Sequence, residues 1–318
     1  MEFFLSFLKI FPAVLEIFIV IICGFFFFKL KLLNTEQIRG LGNLVITLFL
    51  PCLIFSYFLQ GNFSFSQGFW WVYPILGIGV SGAGILISKL FLFFDKSIEN
   101  KNEFIALVCF QNCGYLPLVL VRNIFPVIIA DALFVNIFLF IQGFNLIFWS
   151  FGMNLLSGEK KSGYHLKAMV NAPFITLIIS LLIAGCGWKA FVPRVLLRSC
   201  VFLGECTLPI ALLVLGAILA ESLAAKIESK RFLCKVVLLK MIVMPLAAIA
   251  ILKVFKSVDL MSFVILIECA MPSALNLSVV AYHKKSAYQL ISQGVLFTHL
   301  AGLFTIPALI ALFALIRR

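Results

Sequence analysis

Ten apolar runs, each long enough to cross a bilayer, follow one another along the chain with short polar connectors between them. They cover 11–30, 40–60, 69–94, 103–122, 127–153, 167–188, 195–220, 232–254, 259–281 and 287–316. About 20 helical residues span a hydrocarbon core of about 30 Å, and longer runs fit by tilting. The expectation is an all-α integral membrane protein with ten transmembrane helices. Composition agrees: 63% of the 318 residues are hydrophobic, 12% are charged and 36 are Phe, more apolar surface than a soluble chain of this length buries.

The first run reads as a helix rather than a cleaved leader, because Glu16 lies within it and no small-residue cleavage site precedes "FFFFKLKLL". The net charge of +12 is read as topology signals and contacts with anionic lipid headgroups, with no nucleic-acid partner. If the N-terminus is extracytoplasmic, 15 Lys and Arg fall on cytoplasmic connectors and 9 on the opposite side, with Lys240 inside helix eight. The positive-inside rule then puts both termini outside a cell (inner) membrane. The nine cysteines are scattered through apolar runs without Cys-x-x-Cys or Cys/His spacing, so they read as small helix residues; no metal or other cofactor is expected.

Prolines suggest an internal repeat. Pro12 pairs with Pro173, Pro51 with Pro209, Pro74 with Pro245 and Pro117 with Pro272, at separations of 161, 158, 171 and 155 residues. Five helices per half is an odd number, so the second half crosses the membrane in the opposite sense and the halves form an inverted repeat. The expected division is a first repeat over 1–153, a cytoplasmic connector over 154–166 and a second repeat over 167–318.

Within this pattern, "NCGYLP" in helix four and "MPSALN" in helix nine stand out. Pro117 lacks an N–H and its ring disfavours helical geometry at Leu116, while Gly114 adds freedom, so a break near the middle of helix four is expected. Pro272 acts likewise on Met271, with Ser273 and Asn276 supplying polar groups and Asn112 doing so in helix four. An orphaned backbone group in hydrocarbon costs several kcal/mol, so such breaks persist only against protein or a water-filled cavity. Two half-helix N-termini facing one cavity suit an anion, and half-helix C-termini suit a proton-bearing group or a cation. Glu268, one turn before Pro272, is the candidate proton or coupling-ion residue. Asn136, Gln142 and Asn145 in helix five read as interhelical hydrogen-bonding residues, His299 as a satisfied packing histidine and Arg122 as an interfacial anchor.

The stretches "KLKLLNTEQIRGLGNLVITLFLPCLIFS", "NCGYLPLVLV", "NAPF", "LPIALLVLGAILA" and "ECAMPSALNLSVVAYHKKSA" resemble the auxin efflux carrier family of membrane transport proteins, which includes bacterial malonate-type permeases. The resemblance implies a ten-helix inverted-repeat fold similar to that of the bile acid:sodium symporters, with helices four and nine crossing at the substrate site. By position, Asn112, Gly114 and Pro117 match the helix-four crossover, and Pro272 and Asn276 the helix-nine crossover. The helix-four motif lacks a further Gly that many bacterial members place before the proline.

No His-Glu-x-x-His, Gly-x-Ser-x-Gly or Gly-x-x-x-x-Gly-Lys motif occurs, so neither an enzyme nor an ATP-driven pump is expected. The expectation is a secondary transporter of a small organic anion, a mono- or dicarboxylate, working by alternating access. H+ or Na+ is the candidate coupling ion, membrane lipids surround it, and a homodimer is the candidate assembly. The alternatives are an ion channel and a non-transporting membrane scaffold or sensor.

Overall fold

The computed structural model describes residues 2–316 except 62, 64, 66–68, 158–169, 224–226, 256–259 and 285–286. Most of the expected connector 154–166 therefore lies outside the described residues. The described chain is helical throughout, its β-type pairing confined to one isolated bridge between Gln111 and Ser273.

Helix α1 spans Glu2–Lys29, α2 Thr35–Leu44 and α3 Leu50–Gln60, with a π-helical turn, Val45–Phe49, joining α2 to α3. Helix α4 spans Val72–Phe94, α5 Lys101–Cys109, α6 Tyr115–Ile124, α7 Val127–Ile147 and α8 Met153–Ser157, the last two joined by a π turn at Phe148–Gly152. In the second half, α9 spans Ala172–Gly185, α10 Arg194–Glu205, α11 Thr207–Ser222 and α12 Lys230–Leu238. A π turn at Leu239–Val243 leads into α13, Met244–Phe255, followed by α14 Leu260–Ala270, α15 Asn276–Lys284 and α16 Tyr288–Ile316. Among the described residues, seven continuous helical stretches are long and apolar enough to cross a membrane, and α6, α9 and α14 are shorter apolar helices.

Local chemistry sets many of these boundaries. Asn34 opens α2 with a reciprocal capping box, its side chain accepting from the Gln37 N–H while the Gln37 side chain accepts from the Asn34 N–H, both at 2.9 Å. Asn171 caps α9 by accepting from the Phe174 N–H, with Pro173 in the first turn. Pro51 and Pro245 each follow a π turn, where the widened backbone accommodates a ring that would clash with the carbonyl four residues earlier.

The helices pack in two groups, which meet where α1 lies on α16. In the first, α1 lies on α11, α3 on α9 and α10, and α2 on α11; in the second, α4 lies on α5 and α7, and α16 on α12, α14 and α15. Several crossings are glycine-mediated. A Cβ at Gly216 would overlap the Ile21 carbonyl oxygen of α1, and one at Gly143 would overlap the Pro74 carbonyl oxygen of α4. Close backbone approach through small residues is the usual basis of helix association where lipid offers no hydrophobic drive. Large apolar side chains such as Phe94, Ile128 and Phe191 point outward, as a lipid-facing surface requires.

Candidate functional site

The two interrupted helices meet at their interruptions. After α5 ends at Cys109 and α14 at Ala270, the chains run past each other as a two-residue antiparallel bridge. The Asn112 N–H donates to the Pro272 carbonyl and the Ala274 N–H to the Phe110 carbonyl, both at 2.8 Å. Backbone groups freed by one break are thus taken up by the other, which makes both breaks tolerable in an apolar interior.

Side chains reinforce the crossing. Ser273 Oγ donates to the Leu107 carbonyl in the last turn of α5 at 2.7 Å, and its N–H donates to Thr298 Oγ1 of α16 at 3.2 Å. His299 Nδ1 lies 2.8 Å from the Val295 carbonyl, which only accepts, so the ring proton sits on Nδ1. Nε2 is then the acceptor for the Asn112 amide, 3.4 Å away.

Pro117 is placed differently from the expectation. The break runs from Phe110 to Gly114, and Pro117 is the third residue of α6, with Leu116 helical before it. A first-turn proline forfeits no intrahelical bond, because the first amides of a helix have no partner there. Gly114 has a negative φ, and a Cβ on it would meet nothing within 4 Å. Pro272, by contrast, lies inside its break.

Beside the crossing, between the two helix groups, lies a cavity of about 450 Å³. From the first group, Thr35, Arg39 and Asn43 of α2 and Val214, Ile218 and Glu221 of α11 line it. From the second come Tyr115 at the start of α6, Asn276 and Ser278 at the start of α15, and Tyr288 at the start of α16. The N-termini of both outgoing half-helices therefore border one space, together with a guanidinium. The positive ends of two helix dipoles and the Arg39 guanidinium favour an anion there, against the single Glu221 carboxyl group on the α11 wall.

Of the residues singled out in sequence, Asn276 borders the cavity, whereas Asn112, Pro272 and Ser273 build the crossing. Glu268 is fully buried in the last turns of α14. Arg39, Asn43 and Thr35 escaped the sequence reading; the polar stretch "TEQIRGLGN" directly before an apolar run is the signal that marks them. Among the other polar residues, Gln142 donates to the Phe138 carbonyl of its own helix at 2.9 Å, and Asn123 donates to Glu16 at 3.2 Å. Among the described residues no group of three or more His, Cys, Asp or Glu is arranged to hold a metal ion.

Comparison with known proteins follows the same outline. A 60-residue stretch, 19% of this chain, is 37% identical to the lysosomal cholesterol signaling protein of Mus musculus. That stretch is 7% of the mouse protein, so the likeness reaches a small part of it. The profile of a family described as membrane transport protein matches residues 9–165 and 161–310. Multi-pass helical architecture and a family match over nearly the whole chain lead to one conclusion: the protein belongs to the membrane transport protein family, that of the auxin efflux carriers.

Proposed function

We propose that the protein is a secondary transporter of a small organic anion, a mono- or dicarboxylate, bound in the cavity beside the crossing and moved by alternating access. The observation that carries this reading is the cavity itself, where the starts of α6 and α15 and the side chain of Arg39 border one space between two helix groups. Its remaining walls, including Val45, Ile46, Val214 and Ile218, are largely apolar and suit the carbon body of such a cargo.

The reading rests on ten spans in two inverted halves, 1–153 and 167–318, with α5 and α6 forming the fourth span and α14 and α15 the ninth. Corresponding pairs pack alike, α1 on α11 as α9 on α3, and α4 on α7 as α12 and α13 on α16. Rocking of one group against the other would expose the cavity to each side in turn. Thr35 and Arg39 of the cavity wall lie on α2, directly after the α1–α2 turn that carries Lys29 and Lys31, the cytoplasmic side by the charge rule in a cell membrane. Glu268, at the end of α14, is the acid that a coupling H+ would engage.

Purified protein in liposomes should show saturable carboxylate uptake that falls at least about tenfold in Arg39→Ala, the loss of a charge-assisted contact worth about 1.5–3 kcal/mol. Uptake unchanged by both Arg39→Ala and Asn276→Ala would remove the cavity as the cargo site.

A further inference from the structure

Across the crossing from the cavity, the opposite ends of the half-helices meet. Helices α5 and α14 terminate there, and their C-termini carry partial negative charge. Glu268, in the last turns of α14, adds a carboxyl group, and Gln111 lies in the break beside it. Lys240 reaches the same interior from the π turn Leu239–Val243, a segment in contact with α5, α14 and α16. Its ammonium is within electrostatic reach of Glu268, Cys269 and Cys109 at the ends of both incoming half-helices, and of Cys113 in the break that follows α5.

Lys240, Glu268 and Gln111 are each 0% exposed. Lys240 Nζ has no hydrogen-bond partner among the described residues, and the Glu268 carboxyl and the Gln111 amide have no well-formed one, facing only each other. A single buried ion is expensive, but a positive and a negative group sharing one enclosure offset each other. Two helix C-termini and a carboxylate constitute a cation site, and the cation already within range is the protein's own.

We propose that the Lys240 ammonium is the resident cation of the crossing: it compensates Glu268 and the α5 and α14 C-termini, and so takes the place of a bound alkali ion. The native protein then binds no Na+ or K+ at this position. Removing the ammonium while keeping the carboxylate opens the position to a small alkali cation; removing both abolishes the demand for one.

The test reads ion binding through stability rather than flux, so its result stands apart from the identity of the cargo. Thermal unfolding midpoints of the purified full-length protein are measured in sodium, potassium and choline chloride at constant ionic strength. The variants are Lys240→Met, Glu268→Gln and the double variant. The native midpoint should be the same in all three salts. Lys240→Met should unfold several degrees lower in choline and recover saturably in sodium, and the double variant should lose that salt response while regaining stability over either single variant. If Lys240→Met does not fold, Lys240→Gln replaces it. Should neither single Lys240 variant fold while the double variant does, charge compensation is again the explanation. A saturable response of the native protein to Na+ or K+ overturns the proposal, as does a double variant no more stable than the weaker single one.

Discussion

Asn112 and Pro272, 160 residues apart in sequence, are joined by a 2.8 Å hydrogen bond from the Asn112 N–H to the Pro272 carbonyl, and Ala274 returns the favour to Phe110. Each half of the chain thus completes the backbone of the other. Breaking one of these bonds leaves an acceptor without a donor in a site that water does not readily reach. Ala274→Pro removes the N–H that satisfies Phe110, and the orphaned carbonyl costs several kcal/mol. The variant should give little folded monodisperse protein by size-exclusion chromatography. Ser273→Ala removes a single side-chain donor from the Leu107 carbonyl and should cost about 1–3 kcal/mol, read as a lower thermal midpoint with the fold retained.

Glycine packing makes a sharper contrast within one helix pair. A methyl group at Gly143 collides with the Pro74 carbonyl, a backbone atom that moves only if α4 and α7 separate. Gly143→Ala should therefore destabilise by about 1–3 kcal/mol or more, the range for overpacking a close contact. Gly79, on α4 itself, is exposed and a Cβ there meets nothing within 4 Å. Gly79→Ala should be neutral or stabilising by up to about 1 kcal/mol, through reduced backbone entropy. Thermal midpoints of the two variants moving in the same direction would contradict this packing.

The apolar runs at 127–153, 195–220 and 287–316 coincide with helical stretches to within a few residues, because hydrocarbon length and apolarity are local properties. Helicity before residue 11 in α1 and before residue 40 in α2 was less legible, since polar residues enter those turns. Interruption of α5–α6 and α14–α15 is legible too, but its position is not fully so. Proline both breaks helices and favours their first turn, and nothing local distinguishes the two roles for Pro117. Pairing of the breaks is a long-range property that no local pattern encodes. Arg39 illustrates a different ambiguity: an arginine beside a membrane span serves equally as a topology signal and as an anion contact, and only the cavity separates them.

At the end of α4, Asp95 accepts from the Ser97 N–H and hydroxyl at 3.0 and 2.6 Å and pairs with Lys235 of α12. The Lys235 ammonium, together with the Ser97 donors, holds the Asp95 carboxyl well below the usual carboxylate range. An acid whose folded pKa is depressed stabilises the fold at pH values above its unfolded pKa of about 3.9, and that contribution is lost as pH falls below it. The native protein should lose thermal stability on acidification below about pH 4 more steeply than Asp95→Asn does. Equal slopes for the two proteins over that window would exclude the pair as a contributor. High salt should weaken the difference, because the pair is partly exposed.

Asn112 and Asn276 separate two roles that their sequence positions make look equivalent. Asn112 is buried, with its amide turned to His299, whereas Asn276 is exposed to the cavity at the start of α15. Replacing Asn112 by Ala leaves the His299 Nε2 acceptor without its amide partner, so the cost should appear in the protein without ligand, about 1–3 kcal/mol of stability. Asn276→Ala exposes no buried group and should leave the ligand-free midpoint within about 0.5 kcal/mol of native. Its deficit should appear on adding a carboxylate that stabilises the native protein: the shift in midpoint shrinks, and the concentration needed for half the effect rises. A full ligand-induced shift in Asn276→Ala, with a diminished one in an Asn112→Ala protein of native stability, would reverse the assignment. The cargo contact would then lie at the crossing itself.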